Sequence, residues 1–127
     1  MKPISPSRKW LEKKSKRGVR AYPLGTIAFY GPDNLSAVKV AVGIIPLPDS
    51  EPAEMERWFV EEGDIRRDEA VLAEVVRFLK DHEAHSVTLV DGILGCPHEE
   101  GIDYPEGETC PACPFWAGRN RWAEALR

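Results

Sequence analysis

The chain has 127 residues, the size of one ordinary domain, of which 43% are hydrophobic and 30% charged, enough to bury a core of its own. No apolar run approaches the roughly 20 residues that a membrane-spanning helix needs, and the basic N-terminus has no apolar stretch behind it, so no secretory signal is expected. Three cysteines, an odd number, argue against a secreted disulfide framework and for a reducing cytoplasm, where clustered cysteines read as metal ligands or redox groups.

The formal net charge of −4 hides a division. Residues 1–20 hold eight Lys and Arg against Glu12, a sum of +7, while residues 21–127 hold nine basic and twenty acidic residues, a sum of −11. Residues 1–20 are therefore set apart as a basic flexible arm, and residues 21–127 as a single domain. Pro3, Pro6 and three serines oppose a long helix in the arm, although 8–16 could form a short one with Trp10 and Leu11 on one face. Such an arm releases counterions from nucleic acid, and Trp10 offers a ring to a base, so RNA or DNA is the expected partner of residues 1–20. The plainer alternative is a solvated tail, or one that folds back on its own acidic body.

Residues 26–31 are rich in β-formers, and Gly31-Pro32-Asp33-Asn34 is a turn. Over 37–45 the pattern alternates, with Val38, Val40, Val42 and Ile44 on one face and Lys39 on the other. These two runs predict an antiparallel hairpin. Pro46, Pro48 and Pro52 end the second strand, and Asp49 or Ser50 can cap a following helix. Met55, Trp58 and Phe59, at helical spacing, predict that helix over 51–62, stopped by Gly63. Asp64 or Asp68 caps a second helix over 68–83, with Val71, Leu72, Val75, Phe78 and Leu79 as its apolar stripe. His82 and His85 lie at its exit, where the helix dipole favours histidine, so a structural role fits them better than metal ligation. Val87, Leu89 and Val90 mark a third strand over 86–94, which runs through Asp91, Gly92 and Gly95 into Cys96. Residues 118–127 can form a short helix carrying Trp122, Ala125 and Leu126. The order predicts an α+β fold: a three-stranded, mostly antiparallel sheet, two helices on one face, and a C-terminal zinc-binding loop over 96–113. If the second and third strands run parallel, the helical connection between them should be right-handed.

That loop carries the chemistry. Cys96 and His98 flank Pro97, which biases the segment to extended backbone, where residues two apart point the same way. Cys110-Pro111-Ala112-Cys113 has the two-residue spacing of a metal knuckle. The eleven residues between the pairs contain Gly101, Pro105 and Gly107, enough to turn the chain back. Three thiolates and an imidazole are the ligand set that tetrahedral Zn²⁺ prefers, although thiolates also accept iron or Cu(I). Over residues 96–113 the pattern resembles zinc ribbons and zinc knuckles, departing from them in the Cys-x-His first pair and in Pro114. With all four ligands engaged the site is closed, which implies a structural staple.

Two other chemistries share these residues. His98-Glu99-Glu100 followed by Cys110-Pro111-Ala112-Cys113 resembles the H-x-E and C-x-x-C signature of zinc deaminases. That resemblance implies His98, Cys110 and Cys113 as ligands, Glu100 as acid/base and Cys96 free. Against it, nine residues between Glu100 and Cys110 leave no room for the intervening helix and strand, and Pro97 breaks up the His region. A redox dithiol at Cys110 and Cys113 is the third chemistry, but no strand precedes the pair and Pro114 follows it. Asp91, Glu99, Glu100 and Asp103 are candidate acceptors for the second ring nitrogen of His98, and Asp103 can instead make an Asx turn. The residues thus point to a zinc-binding protein of binding or adaptor type. Its partner would be nucleic acid through residues 1–20, or a protein through Tyr104, Phe115 and Trp116, unless those aromatics cover the metal and close the core.

Overall fold

The computed structural model describes residues 5–18, 21–33, 35–98, 102–106, 108 and 110–116. In chain order these form α1 (Pro6–Lys16), β1 (Leu24–Tyr30), β2 (Lys39–Ile45), β3 (Glu54–Phe59), a 3-10 turn at Ile65–Arg67, α2 (Glu69–Asp81), β4 (Ser86–Ile93) and a second 3-10 turn at Pro114–Trp116. The strands make one four-stranded sheet in the order β3-β2-β1-β4. β1 with β2 and β2 with β3 are antiparallel, and β1 with β4 is parallel. The fold is α+β, as the element order predicted.

The predicted hairpin is present, with Ile27 opposite Val42 and Phe29 opposite Val40. Its alternation places Val40, Val42 and Ile44 in the core at 4% exposure or less. They join Ile27, Phe29 and Val87 from the sheet, Leu72, Val75 and Leu79 from α2, and Leu11 from α1 in one apolar cluster. Burial on this scale contributes about 1.5–3 kcal/mol per large side chain.

Two expectations are corrected. The helix expected over 51–62 is instead the edge strand β3, which makes the sheet four-stranded rather than three-stranded. Val60 N–H donates to the Val38 carbonyl and Ala53 N–H to that of Ile44, extending its pairing with β2. Trp58 lies opposite Val40 and packs edge-on against Phe78 of α2, ring centroids 5.9 Å apart. Met55 and Phe59 fall on the opposite face and stay exposed. Their 55-58-59 spacing suits a helix, but a six-residue window cannot report that an open strand edge waits beside it, and tertiary pairing overrides so weak a local preference.

Residues 6–16 are not a detached arm. Ser5 caps α1, its hydroxyl accepting from Arg8 N–H at 2.9 Å, and Pro6 sits in the first turn, where its missing N–H costs nothing. Glu69 of α2 accepts from Ser7 N–H at 3.1 Å. Leu11 is fully buried, and Arg8 turns inward to the Arg66 carbonyl and over the Phe29 ring. Among the described residues the two α-helices are therefore α1 and α2. Strand direction resolves the condition left open by the sequence. β4 lies beside β1, not β2, and runs opposite to β2, so the parallel arrangement considered for the second and third predicted strands does not arise.

Other local readings match. Asp68 caps α2 by accepting from Val71 N–H at 3.1 Å, and Asp64 caps the preceding 3-10 turn. His82 ends α2: its Nδ1 lies 2.9 Å from the Phe78 carbonyl and its ring packs on Phe78. Ser50 closes a turn with Leu47 instead of capping a helix. The helix expected over 118–127 lies outside the described residues. Among the described residues no helix is long and apolar enough to cross a membrane.

Two measurements check this account. Leu11→Ala should lower stability by about 2–5 kcal/mol in chemical denaturation; a loss below about 0.5 kcal/mol, typical of a surface site, would mean that α1 does not share the core. Asp64 tests a polar tie. Burial raises its carboxyl pKa, but hydrogen bonds and charge from Arg66, with the Ala37 N–H, outweigh this and hold it below the ordinary carboxylate value. A pKa lower in the folded state adds stability above the unfolded value of about 4, and that stability is lost as pH falls through the folded value. Asp64→Asn should therefore cost about 1–2 kcal/mol at pH 7, and the gap from wild type should narrow as pH falls below the ordinary carboxylate value.

Candidate metal centre

The loop is launched from one end of the sheet. Beyond β4, Leu94 N–H donates to the Phe29 carbonyl, and Gly31 N–H donates to the Gly95 carbonyl at 2.8 Å. Two residues of pairing thus carry the chain to Cys96 beside the β1–β2 turn. Gly31 has to be glycine there, because a methyl group would collide with the Ser36 carbonyl oxygen. The β1–β4 pairing is irregular just before this end: Ile27 lies opposite Leu89, but Phe29 lies opposite Ile93. β4 spends four residues where β1 spends two, a bulge of the kind that re-aims a strand's exit.

Cys96, His98, Cys110 and Cys113 come together, their ligand atoms all within 4.8 Å of one another. His98 Nδ1 faces all three sulfurs, at 3.1 Å from Cys96, 3.4 Å from Cys110 and 3.6 Å from Cys113. Around a tetrahedral ion with metal–sulfur bonds near 2.3 Å and metal–nitrogen bonds near 2.0 Å, each sulfur would lie about 3.5 Å from the nitrogen. The spacings to Cys110 and Cys113 lie close to those edges, and the spacing to Cys96 is shorter. The Cys113 N–H donates to the Cys110 carbonyl at 3.2 Å, folding the second pair into the turn its spacing implied. On the first pair, His98 N–H donates to Cys96 Sγ at 3.2 Å. These residues could hold a metal ion.

The three thiols are 2–4% exposed, whereas His98 is exposed. Burial pushes the Cys113 thiol up to about 12, and the neighbouring Cys96 and Cys110 sulfurs push it the same way. Cys96 is raised as well, chiefly by burial. For Cys110 burial also opposes ionisation, but hydrogen bonds from the Cys96 thiol and the Ala112 N–H outweigh it and lower its pKa. Three thiolates cannot share so small a volume without a cation between them, whereas a divalent ion reverses the balance.

Cys96 is not the bystander that the deaminase resemblance requires. It is buried in the cluster and makes the shortest contact to His98. Glu99 and Glu100 lie outside the described residues, as does the side chain of Asp91, and Asp103 is exposed. Tyr104 is 6% exposed and Phe115 packs half-buried against the core, so both close the core beside the cluster. The side chain of Trp116 lies outside the described residues. Lys39, on the face opposite Val40 and Val42, is only 4% exposed. Its Nζ donates to the Pro97 carbonyl at 3.0 Å, between Cys96 and His98.

Metal uptake should therefore displace protons, since Cys113 keeps its proton up to about pH 12 in the metal-free chain. Apparent metal affinity should rise with pH and fall in acid, by up to tenfold per pH unit for each thiol proton displaced. Competition titrations with a chelator at pH 6 and pH 8 measure this, and equal affinities at the two values would exclude thiolate ligation. No protein-family model, curated protein or solved structure matches the chain, so what it can do is read from its own residues.

Proposed function

We propose that the chain holds one Zn²⁺ through Cys96, His98, Cys110 and Cys113, that the ion is structural, and that the protein works by binding a partner rather than by catalysis. One observation supports this above others: three buried thiols crowd a single imidazole nitrogen at near-tetrahedral spacing. Four protein ligands fill the coordination of Zn²⁺ and leave no position for a reacting water. The segment after residue 95 has only short turns of regular structure among the described residues. Such a segment gains most from a staple, and structural zinc supplies on the order of 10 kcal/mol of folding free energy.

The partner that best suits the charge pattern is RNA or DNA. α1 exposes Lys9, Lys13 and Lys16, spaced so that they share one side of the helix. Trp10 is not offered to a base: it packs against the core, with the ammonium groups of Lys14 and Lys80 over its ring at 5.2 and 5.4 Å. Binding would therefore be electrostatic and indifferent to sequence.

Metal analysis of wild type beside Cys96→Ser tests the first half. One zinc per chain, lost in the variant together with the structure of residues 96–116, is the expected result; a variant that keeps its zinc and fold would mean an open, three-ligand site. For the second half, a Lys9→Gln, Lys13→Gln, Lys16→Gln triple variant keeps Leu11 and the helix intact. It should weaken nucleic-acid binding and reduce the slope of log affinity against log salt by up to about 3. Unchanged affinity in the triple variant would rule out α1 as the contact.

A further inference from the structure

The sheet has two sides, and α1 and α2 cover only one of them. Leu11, Leu72, Val75 and Leu79 pack on the side that carries Ile27, Phe29, Val40 and Val42. The alternate positions point the other way, and none of those on β1, β2 or β3 joins that apolar cluster. A sheet side left to water is ordinarily polar. This one is not. Ala28 lies opposite Ala41 at its centre, and Thr26 lies opposite Gly43. Along its edge, Met55 and Phe59 of β3 are 43% and 62% exposed, and exposed apolar surface gathered on one face marks a contact site more often than a solvated one.

Charge separates this side from the rest of the chain. Residues 21–127 sum to −11, yet no paired position on this side is acidic, and two are basic, Lys39 and Arg57. The two carboxylates of β3, Glu54 and Glu56, alternate to the side of Trp58. Tyr30, Lys39 and Phe59 form one row across β1, β2 and β3, the Lys39 ammonium lying 5.4 Å and 5.5 Å from the two ring centroids. The Phe59 ring is thus anchored yet mostly open to solvent. Phe59 and Lys39 also line a groove of about 530 Å³, within the range of pockets that take small molecules. Among the described residues Asp103 is the one acid in its lining, where it suits a base amino group better than a phosphate.

We infer that this open side of the sheet is a binding surface for single-stranded RNA or DNA: an unpaired base stacks on Phe59, the small residues give its neighbours a flat floor, and Arg57 meets the backbone phosphates. The inference rests on the nucleic-acid reading of the charge pattern, but it uses a surface separate from α1, which packs on the covered side. An exposed ring selects single strands, because the bases of a duplex are already stacked on one another. A second copy of the chain fits less well, since laying the two faces together would oppose basic, acid-free surfaces.

The test uses the full chain and fluorescein-labelled oligonucleotides of about 12 nucleotides, as single-stranded poly(U), single-stranded oligo(dT) and a DNA duplex. Anisotropy reads affinity, sedimentation reads the association state, and far-UV circular dichroism checks folding. Phe59→Ala should bind the single strands at least about fivefold more weakly, whereas Phe59→Tyr, which keeps a ring, should stay within about twofold of wild type. Duplex affinity should not change in Phe59→Ala. Arg57→Gln should reduce the slope of log affinity against log salt on single strands by about 0.7. Should Phe59→Ala fail to fold, Phe59→Leu, apolar but without a ring, takes its place. Single-strand affinity that is unchanged without the ring would overturn the inference. So would an equal loss in Phe59→Tyr, or a wild-type dimer that Phe59→Ala dissociates, which would make the face an interface between copies. A wild-type chain that binds neither single strands nor duplex would bring down the nucleic-acid reading and this inference with it. Binding that survives Phe59→Ala but is lost in the Lys9, Lys13 and Lys16 triple variant brings down this inference alone.

Discussion

Three thiols and one imidazole nitrogen occupy a space less than 5 Å across, and the lower part of the molecule is arranged around the electrostatic problem this creates. Buried sulfurs this close cannot all ionise in the metal-free chain, and Cys113 shows it most clearly, held protonated to about pH 12. A divalent cation turns the same crowding into a favourable site. The cluster is reached from two directions, by the end of β4 and by the turn from Cys110 to Cys113.

The sheet end beside the cluster is built from pairing more than from side-chain bulk. The carbonyls of Phe29 and Gly95 accept from Leu94 and Gly31, so the strand that delivers Cys96 stays hydrogen-bonded to β1 almost up to the ligand. The bulge in β4 shifts the register just before it. On the other side of the hairpin, Lys39 reaches across the same end of the sheet and takes hold of the Pro97 carbonyl. The metal loop is thus tied to β1 through its backbone and to β2 through a side chain. Among the described residues no buried side-chain nitrogen or oxygen lacks a partner, which is what a rigid cradle requires.

α1 joins two properties that charge alone would have kept apart. Its lysines make it look like a tail, while Leu11 makes it part of the core. A helix can be both because its faces are independent at 3.6 residues per turn. Glu69 shows the acidic body and the basic segment meeting in a specific way, the carboxylate of α2 accepting from the first turn of α1. Such a helix offers a charged face fixed to a folded domain, rather than a mobile arm that must be ordered on binding.

What the sequence determined by itself is local. The β1–β2 hairpin follows from its alternation, α2 from its stripe and its Asp68 cap, and the role of His82 from its place at a helix end. The four candidate ligands follow from residue type and spacing, because metal ligation makes unusual demands on both. What only the tertiary structure decided depends on partners distant in the chain. β3 is a strand because the edge of β2 was open, not because of anything within 54–59. α1 is docked because α2 and β4 provide a surface for Leu11. Lys39 was visible as the one charged residue in an apolar strand. Its burial required Phe59 to arrive from β3 and Pro97 from the metal loop, 58 positions away in the chain. Local periodicity carries no record of such neighbours, so a sequence reading finds the candidate ligands and misses what supports them.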